Sequence, residues 1–495
     1  MKKQRVIAAI DFGTHGTGYA WTIITDKNNS ARSREIFMRD KWPGYPVPYP
    51  KNLSALLLDE SNEVVAWGYE ARRRWAQLSG RPEGKGMRYH YAFKMSIAND
   101  PSTTAAHQVG GILTAEESKL LFSAHLREVV RAAHSEITAS GFTEDQIRWC
   151  VTVPAIWTEY QKQMVREAAI EAGLPEDENR LTLALEPEAA AYYARVSGVR
   201  TANTSGRRAN LMSPGSRFLV ADCGGGTIDI TAYRTDAKNR LEEIGRECGG
   251  RFGSEYLNQG FFESILAVRF GSFATLAYLR EHSPAAVLDL IDSWEKEKLH
   301  FEGDLVDNLY LPIPASIYRL LDESTLKSLS ESQGGITDSI VVAADEMRNV
   351  FEAVISNILG LVDKQIGEMR RQRRNSSGKE LVILVGGFAS SPYLQKRLAA
   401  HLEGVADLLV PPDPHTAVLR GAVHFTYDPQ TRARRTKMSY GCNVAEPFVE
   451  RVDPKDLEYL GPDGKKYCGS RFLPFVRAGQ SIPVDEEVDR VLTPI

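Results

Sequence analysis

Twice in this sequence a short apolar strand runs straight into an aspartate and a glycine-rich turn. Val6-Ile7-Ala8-Ala9-Ile10 leads into Asp11-Phe12-Gly13-Thr14-His15-Gly16-Thr17-Gly18. Far down the chain, Phe218-Leu219-Val220-Ala221 leads into Asp222-Cys223-Gly224-Gly225-Gly226-Thr227-Ile228-Asp229. Continuous apolar runs bounded by turn residues predict buried strands. Similarity at so long an offset predicts two related lobes rather than a solenoid of short repeats. The turns also have a chemical reading. Glycine permits φ > 0 and lets a ligand approach backbone N–H groups closely. Threonine hydroxyls add donors. A carboxylate repels phosphate but can hold Mg²⁺ or its waters, because that ion prefers oxygen ligands and keeps part of its hydration. One such turn is weak evidence, since glycine-rich turns are common. Two, each led by aspartate, predict a nucleotide gripped between two lobes.

A third apolar strand, Leu381–Val385, ends in Gly386-Gly387. Ser391 is a good N-cap and Pro392 suits a first helical position. Leu394, Leu398 and Leu402 then mark one helix face. The glycine pair lets a flat group pack on the backbone; a plain strand–turn–helix is the alternative. Between the phosphate turns lies Trp149-Cys150-Val151-Thr152-Val153-Pro154-Ala155-Ile156-Trp157, followed by a helix with Thr158 and Gln161 as its capping box. Leu181–Leu185 then enters Glu186-Pro187-Glu188. That places Glu186 at a strand-to-helix corner, the usual position for a functional side chain in open α/β sheets.

Length and charge bound the class. A chain of 495 residues is a prior for about three domains. Lys+Arg number 60 against 64 Asp+Glu, a formal charge of −4, which argues against nucleic acid as a partner. Hydrophobic residues at 43% exclude a disordered chain. Cys150, Cys223, Cys248, Cys442 and Cys468 are odd in number and lack a C-x-x-C pair, so reduced thiols are expected. The apolar run at Val6–Ile10 is too short for a signal peptide. No stretch approaches the roughly 18 apolar residues of a membrane span. A cytoplasmic protein with no membrane partner is expected.

Asp11-Phe12-Gly13-Thr14, Val153-Pro154-Ala155, Leu185-Glu186-Pro187-Glu188-Ala189-Ala190, Asp222–Asp229 and Leu384-Val385-Gly386-Gly387 together resemble the nucleotide-binding domain of the 70-kDa heat-shock chaperone family, within the actin and sugar-kinase superfamily. Trp149–Trp157, Phe93-Lys94-Met95 and Val385–Ala389 look most like the protein 12 subfamily of that heat-shock family. The resemblance implies an α/β, two-lobed actin-like ATPase fold of duplicated ribonuclease H-like domains, with a short β-rich C-terminal segment. The expected divisions are lobe I at 1–216, lobe II at 217–409, a helix closing back onto lobe I at 410–426, and the C-terminal segment at 427–495.

Site roles also follow from the resemblance. ATP or ADP and Mg²⁺ are the implied cofactors, with client or regulatory proteins as further partners. Asp11 and Asp222 match carboxylates that organise Mg²⁺ through its waters. Gly13, Thr14, His15, Gly224, Gly225, Gly226 and Thr227 match the phosphate loops. Lys94, Glu186 and Asp229 match the groups that orient the attacking water. Glu295 and Lys298 match a helix that holds ribose and adenine, and Gly386 and Gly387 match the adenosine turn. Pro154 and Lys162 match residues that couple nucleotide state to a partner domain. Plainer alternatives stand beside these. Lys94 could be a solvated lysine, Glu186 a helix-start acid, and Glu295–Lys298 a surface i, i+3 pair.

Four departures from the family pattern stand out. His15 replaces a threonine, and could donate to phosphate or point away. Leu299 stands where an adenine-stacking arginine is usual. Asp413–Val418 departs from the family's version of that turn. The stretch from Tyr427 to Ile495 looks too short for a peptide-binding sandwich and lid. The leading expectation is an ATP-hydrolysing chaperone-like switch. The alternatives are a non-hydrolysing nucleotide-binding scaffold and a small-molecule kinase of the same superfamily. The Pro-dense run Pro43–Pro50, the Ser197–Ser216 insertion and the runs Arg72–Arg74 and Arg370–Arg374 are read as scaffold.

Overall fold

A computed structural model describes residues 4–25, 31, 34–45, 47–98, 113–197, 211–304, 307–371, 380–429, 431–484 and 487–488. Pro46, most of the Ser197–Ser216 insertion, and Arg373 and Arg374 lie outside the described residues.

Two sheets position the site, and both are built around the strands picked out above. In the first, Val6–Phe12 pairs antiparallel with Gly16–Ile23 and parallel with Ile147–Val153. Ile147–Val153 pairs in turn, parallel, with Leu181–Leu185. In the second, Arg217–Cys223 pairs antiparallel with Ile228–Thr235 and parallel with Glu380–Val385, which pairs parallel with Ala406–Leu409. Both therefore open with a hairpin whose tight turn is one of the glycine loops. Register decides what faces each leading aspartate. In the first hairpin Asp11 lies opposite Gly18, and in the second Asp222 lies opposite Asp229. Val6–Phe12 is buried throughout and Arg217–Cys223 at every residue but its first, as continuous apolar runs in a sheet covered on both faces require.

Local signals account for the helices beside the sheets. Thr158 caps Glu159–Glu171 with a complete capping box. Ser391 accepts from the Leu394 N–H and Pro392 occupies the first turn of Pro392–His401. Helix Ala417–Tyr427 returns to pack on Glu186–Ser197 and on the first sheet. The approach is close: a Cβ at Gly421 would fall 1.8 Å from the Ala189 carbonyl oxygen. Only glycine fits there.

The segment after residue 430 docks on the second sheet. Thr431–Arg435 pairs parallel with Leu241–Glu243 and antiparallel with Ser481–Pro483. Tyr440–Pro447, Lys466–Val476 and Glu458–Leu460 form a separate antiparallel sheet. Arg434 pairs with the buried Glu188 at 2.7 Å, tying this segment to the helix that begins at Glu186. All five cysteines are free. Among the described residues no single helix is long and apolar enough to cross a membrane.

The core beneath the first glycine loop carries an unusual polar residue. His125 is fully buried, with ring centroids 5.3 Å from Phe12, 5.7 Å from Phe93 and 5.8 Å from Trp67. Burial pushes its imidazole down to about 3. Between that value and the ordinary 6.5, the unfolded chain binds a proton that the folded chain does not, so stability falls as pH drops through this window. From pH 7.5 to pH 5 this one residue should remove about 2 kcal/mol of unfolding free energy. In urea titrations, His125→Phe should lose that much less over the same pH interval than the wild type; an equal loss would contradict the assignment.

Candidate active site

The two glycine turns face each other across a cavity of about 410 Å³, within the range of small-molecule sites. Gly13, Thr14, His15, Gly224, Gly225, Gly226 and Thr227 all line it. The loops nearly touch: a Cβ at Gly226 would lie 2.6 Å from Thr14 Oγ1 and 2.1 Å from Met95 Sδ. The carbonyls of Gly224, Gly225 and Gly226 accept from the N–H groups of Ser254, Glu255 and Gly253, respectively. In a trans peptide the following N–H lies opposite the carbonyl. The N–H groups of Gly225, Gly226 and Thr227 therefore point away from the 253–255 segment, free to meet an anion.

Beneath the loops is a cluster of buried carboxylates. Asp11, Glu186 and Asp222 line the cavity, and all three are buried. Asp11 Oδ1 accepts from Thr152 Oγ1 at 3.0 Å and Oδ2 from Lys51 Nζ at 2.7 Å. Glu186 pairs with Lys94 at 2.7 Å, the lysine side chain 4% exposed and the glutamate 9%. This contact explains why the helix starts with a glutamate, and it places Lys94 well away from solvent. Lys94 Nζ also lies 5.4 Å over the Trp157 ring. Burial pushes the Glu186 and Asp222 carboxyls above the ordinary range. Lys94 opposes the shift at Glu186, while Glu186, Asp229 and Asp11 reinforce it at Asp222.

Asp229 is also buried, but it does not line the cavity. Its carboxylate accepts from the Ile156 N–H at 2.8 Å and faces the Thr227 hydroxyl. It sits between the cleft and the loop that follows Pro154. Pro154 and Lys162 lie outside the cavity wall altogether. Lys162 pairs with Glu159 at 2.9 Å. Beside it, Lys437 of the C-terminal segment donates to the carbonyls of Ala155 and Trp157 and pairs with Glu247 at 2.7 Å. Burial, then neighbouring Lys162, lowers the Lys437 ammonium to about 8.

The other end of the cavity is lined by Glu295, Lys298, Leu299, Gly386 and Gly387. Lys298 is buried, pairs with Glu295 at 2.7 Å and donates to Asn258 Oδ1 at 3.0 Å. Asn258 is oriented in turn by Trp294 Nε1 at 3.0 Å. This is a built network rather than a surface ion pair. Gly386 has φ +96°, and a Cβ there would lie 2.4 Å from both Asp222 Oδ1 and the Cys223 carbonyl. Gly387 faces open space. Leu299 lies half-exposed on the same wall, with Phe388 and Ser390 nearby. His15 is on the cavity wall, with Nδ1 hydrogen-bonded to the Tyr91 hydroxyl.

Sequence reasoning misses the aromatic and cationic wall supplied by the Pro-dense run. Tyr45, Tyr49 and Lys51 line the cavity from that loop, with Tyr69 and His415. Tyr45 stacks on Tyr69 at 3.9 Å, and Tyr49 on His415 at 5.4 Å. The available signal is three ligand-type residues spaced among prolines; a rigid-loop reading passes over them.

The described wall thus carries four carboxylates, Asp11, Glu186, Asp222 and Glu295, against three lysines, Lys51, Lys94 and Lys298. The acids outnumber the lysines, so the wall is not cationic overall. Its oxygen donors, held in buried positions where they repel one another, fit a hard divalent cation such as Mg²⁺.

A family model described as a domain of unknown function (DUF8340) matches residues 213–411. Human heat shock 70 kDa protein 12B is 31% identical over 99% of this chain and 78% of its own length. Mouse heat shock 70 kDa protein 12A is 28% identical over 99% of this chain and 79% of its own. A chaperone protein HscA homolog from Acinetobacter baylyi is 29% identical over half of this chain and 32% of its own. The chain belongs to the 70-kDa heat-shock protein family and is of the heat shock 70 kDa protein 12 kind.

Proposed function

We propose that this chain binds ATP with Mg²⁺ in the cavity between its lobes and hydrolyses it slowly, as a chaperone-like switch. The observation that carries this reading is the convergence of both glycine loops, Asp11, Asp222 and the Lys94–Glu186 pair on one cavity. N–H groups of the two loops would hold the phosphates, and Thr14 and Thr227 would add hydroxyl donors. Asp11 and Asp222 would hold Mg²⁺ through its waters, which would neutralise phosphate charge. Lys94, fixed by Glu186, would orient water for in-line attack. Catalysis of this type rests on positioning and charge stabilisation. Gly386 and Gly387 would take the base, and Glu295 and Lys298 the sugar. With Leu299 as an apolar wall there is no cation to stack on the base, so affinity for adenine should be modest.

The loop after Pro154 contacts Asp229 behind the cavity wall and, on its other side, Lys437 of the C-terminal segment. Pro154 and Lys162 would couple nucleotide state to that segment, and through it to a client or regulatory protein. A cytoplasmic location fits the reduced cysteines. A second reading, nucleotide binding without hydrolysis, has one observation in its favour: Asp229 is engaged behind the cavity wall rather than on it.

Single-turnover hydrolysis of ATP by the purified chain, with and without candidate sugars, separates these readings. Turnover to ADP and phosphate without a sugar is expected. Asp222→Ala and Lys94→Ala should each lower it by about 10²–10³-fold; unchanged turnover in Asp222→Ala would reject the mechanism. The glycine pair provides a second check. Gly386→Ala forces a side chain into φ > 0 and onto backbone, and should cost about 1–3 kcal/mol or more in unfolding free energy. Gly387 has φ −64° and open space, so Gly387→Leu should melt like the wild type yet bind ADP at least about tenfold more weakly. Unchanged ADP affinity would place the base elsewhere.

A further inference from the structure

Among the described lysines and carboxylates that line the cavity, Lys51 is the one to which the roles above assign no task. It stands just ahead of the short strand Asn52–Leu53, which pairs with Gly16 and Thr17. Its stem crosses two glycines of that hairpin. A Cβ at Gly16 would lie 3.2 Å from Lys51 Cβ, and one at Gly18 would lie 3.1 Å from Lys51 Cγ. Gly18 is the residue directly opposite Asp11. In the second hairpin the same position, opposite Asp222, is held by Asp229. The two hairpins thus place opposite charges beside their leading aspartates: a carboxylate in one, an ammonium threaded in from a distant loop in the other.

The ammonium arrives at the cavity floor, 14% exposed and 2.7 Å from Asp11 Oδ2. The ion pair with Asp11 fixes it there as a cation. An ammonium has three N–H donors. Among the described residues Asp11 is its one hydrogen-bond acceptor, so two donors remain on a wall that faces the phosphate loops.

We infer that Lys51 is a built-in counter-cation for the phosphates, so that this cleft holds a nucleoside diphosphate without a divalent metal. The inference rests on the nucleotide reading given above. Asp11 anchors the ammonium, and its free donors meet the terminal phosphate oxygens beside the two glycine loops. Mg²⁺ would then add to affinity rather than be a condition for it.

Calorimetric titration of the full chain with ADP, in Mg²⁺ and in excess EDTA, tests this. Wild-type affinity should fall by no more than about tenfold on removing the metal. Lys51→Met should bind in Mg²⁺ but lose at least about a further tenfold in EDTA, the value of a charged hydrogen bond. Lys51→Arg should restore binding in EDTA. Equal losses on metal removal in wild type and Lys51→Met would overturn the inference and leave nucleotide binding intact. Absence of ADP binding by the wild type in Mg²⁺ would overturn both. Should Lys51→Met not fold, because Asp11 is left unpaired, the wild-type comparison decides: ADP binding abolished by EDTA contradicts the inference.

Discussion

The burial of four carboxylates beneath the two glycine loops, three on the hairpin strands and Glu186 at a helix start, is the constraint on which the rest of this structure depends. Asp11, Glu186, Asp222 and Asp229 are each less than a tenth exposed. A buried charge is tolerated only when it is paired or hydrogen-bonded. Three of them have clear partners: Lys51 and Thr152 for Asp11, Lys94 for Glu186, and the Ile156 N–H for Asp229. Asp222 is the least compensated, flanked by Asp229 across the hairpin and by the closely approaching Gly386 turn. The floor of the cleft is therefore a place where a cation is strongly favoured, and the glycine loops above it are a place where an anion is. A metal–polyphosphate pair meets both demands at once.

The same cluster joins the cleft to the outer surface. The Ala155–Trp157 loop gives its Ile156 N–H to Asp229, its indole to Lys94, and its carbonyls to Lys437 of the C-terminal segment. That segment is further held by strand pairing to Leu241–Glu243 and by the Arg434–Glu188 ion pair. Elements that carry the acids thus also carry the docking contacts. A change in cleft charge has a short, contiguous set of packed groups on which to act.

Legibility from sequence follows the backbone. The hairpin strands, the glycine turns and the capped helices at Thr158 and Ser391 each carry a local signal: an apolar run, a residue tolerant of φ > 0, a side-chain cap. The residues that lead those turns can be named for the same reason. Side chains arriving from elsewhere are harder. Lys51 reaches Asp11 across 40 residues, and nothing near it in sequence marks the destination. Tyr45 and Tyr49 are hidden in a run whose prolines read as a rigid loop. Asp229 is a cleft group by the resemblance alone; in the structure its carboxylate is taken by the Ile156 N–H, a partner 73 residues away, and it does not line the cavity. The docking of the last segment depends on a parallel pairing between Leu241 and Thr431, a contact too distant for periodicity to reveal.

The most direct test of the central claim is a crystal structure of this chain grown with Mg²⁺ and ADP. The account predicts phosphate oxygens within hydrogen-bond distance of N–H groups in both glycine loops, the metal and its waters over Asp11 and Asp222, and the base against Gly387. ADP bound elsewhere, or phosphates held by only one of the two loops, would contradict it.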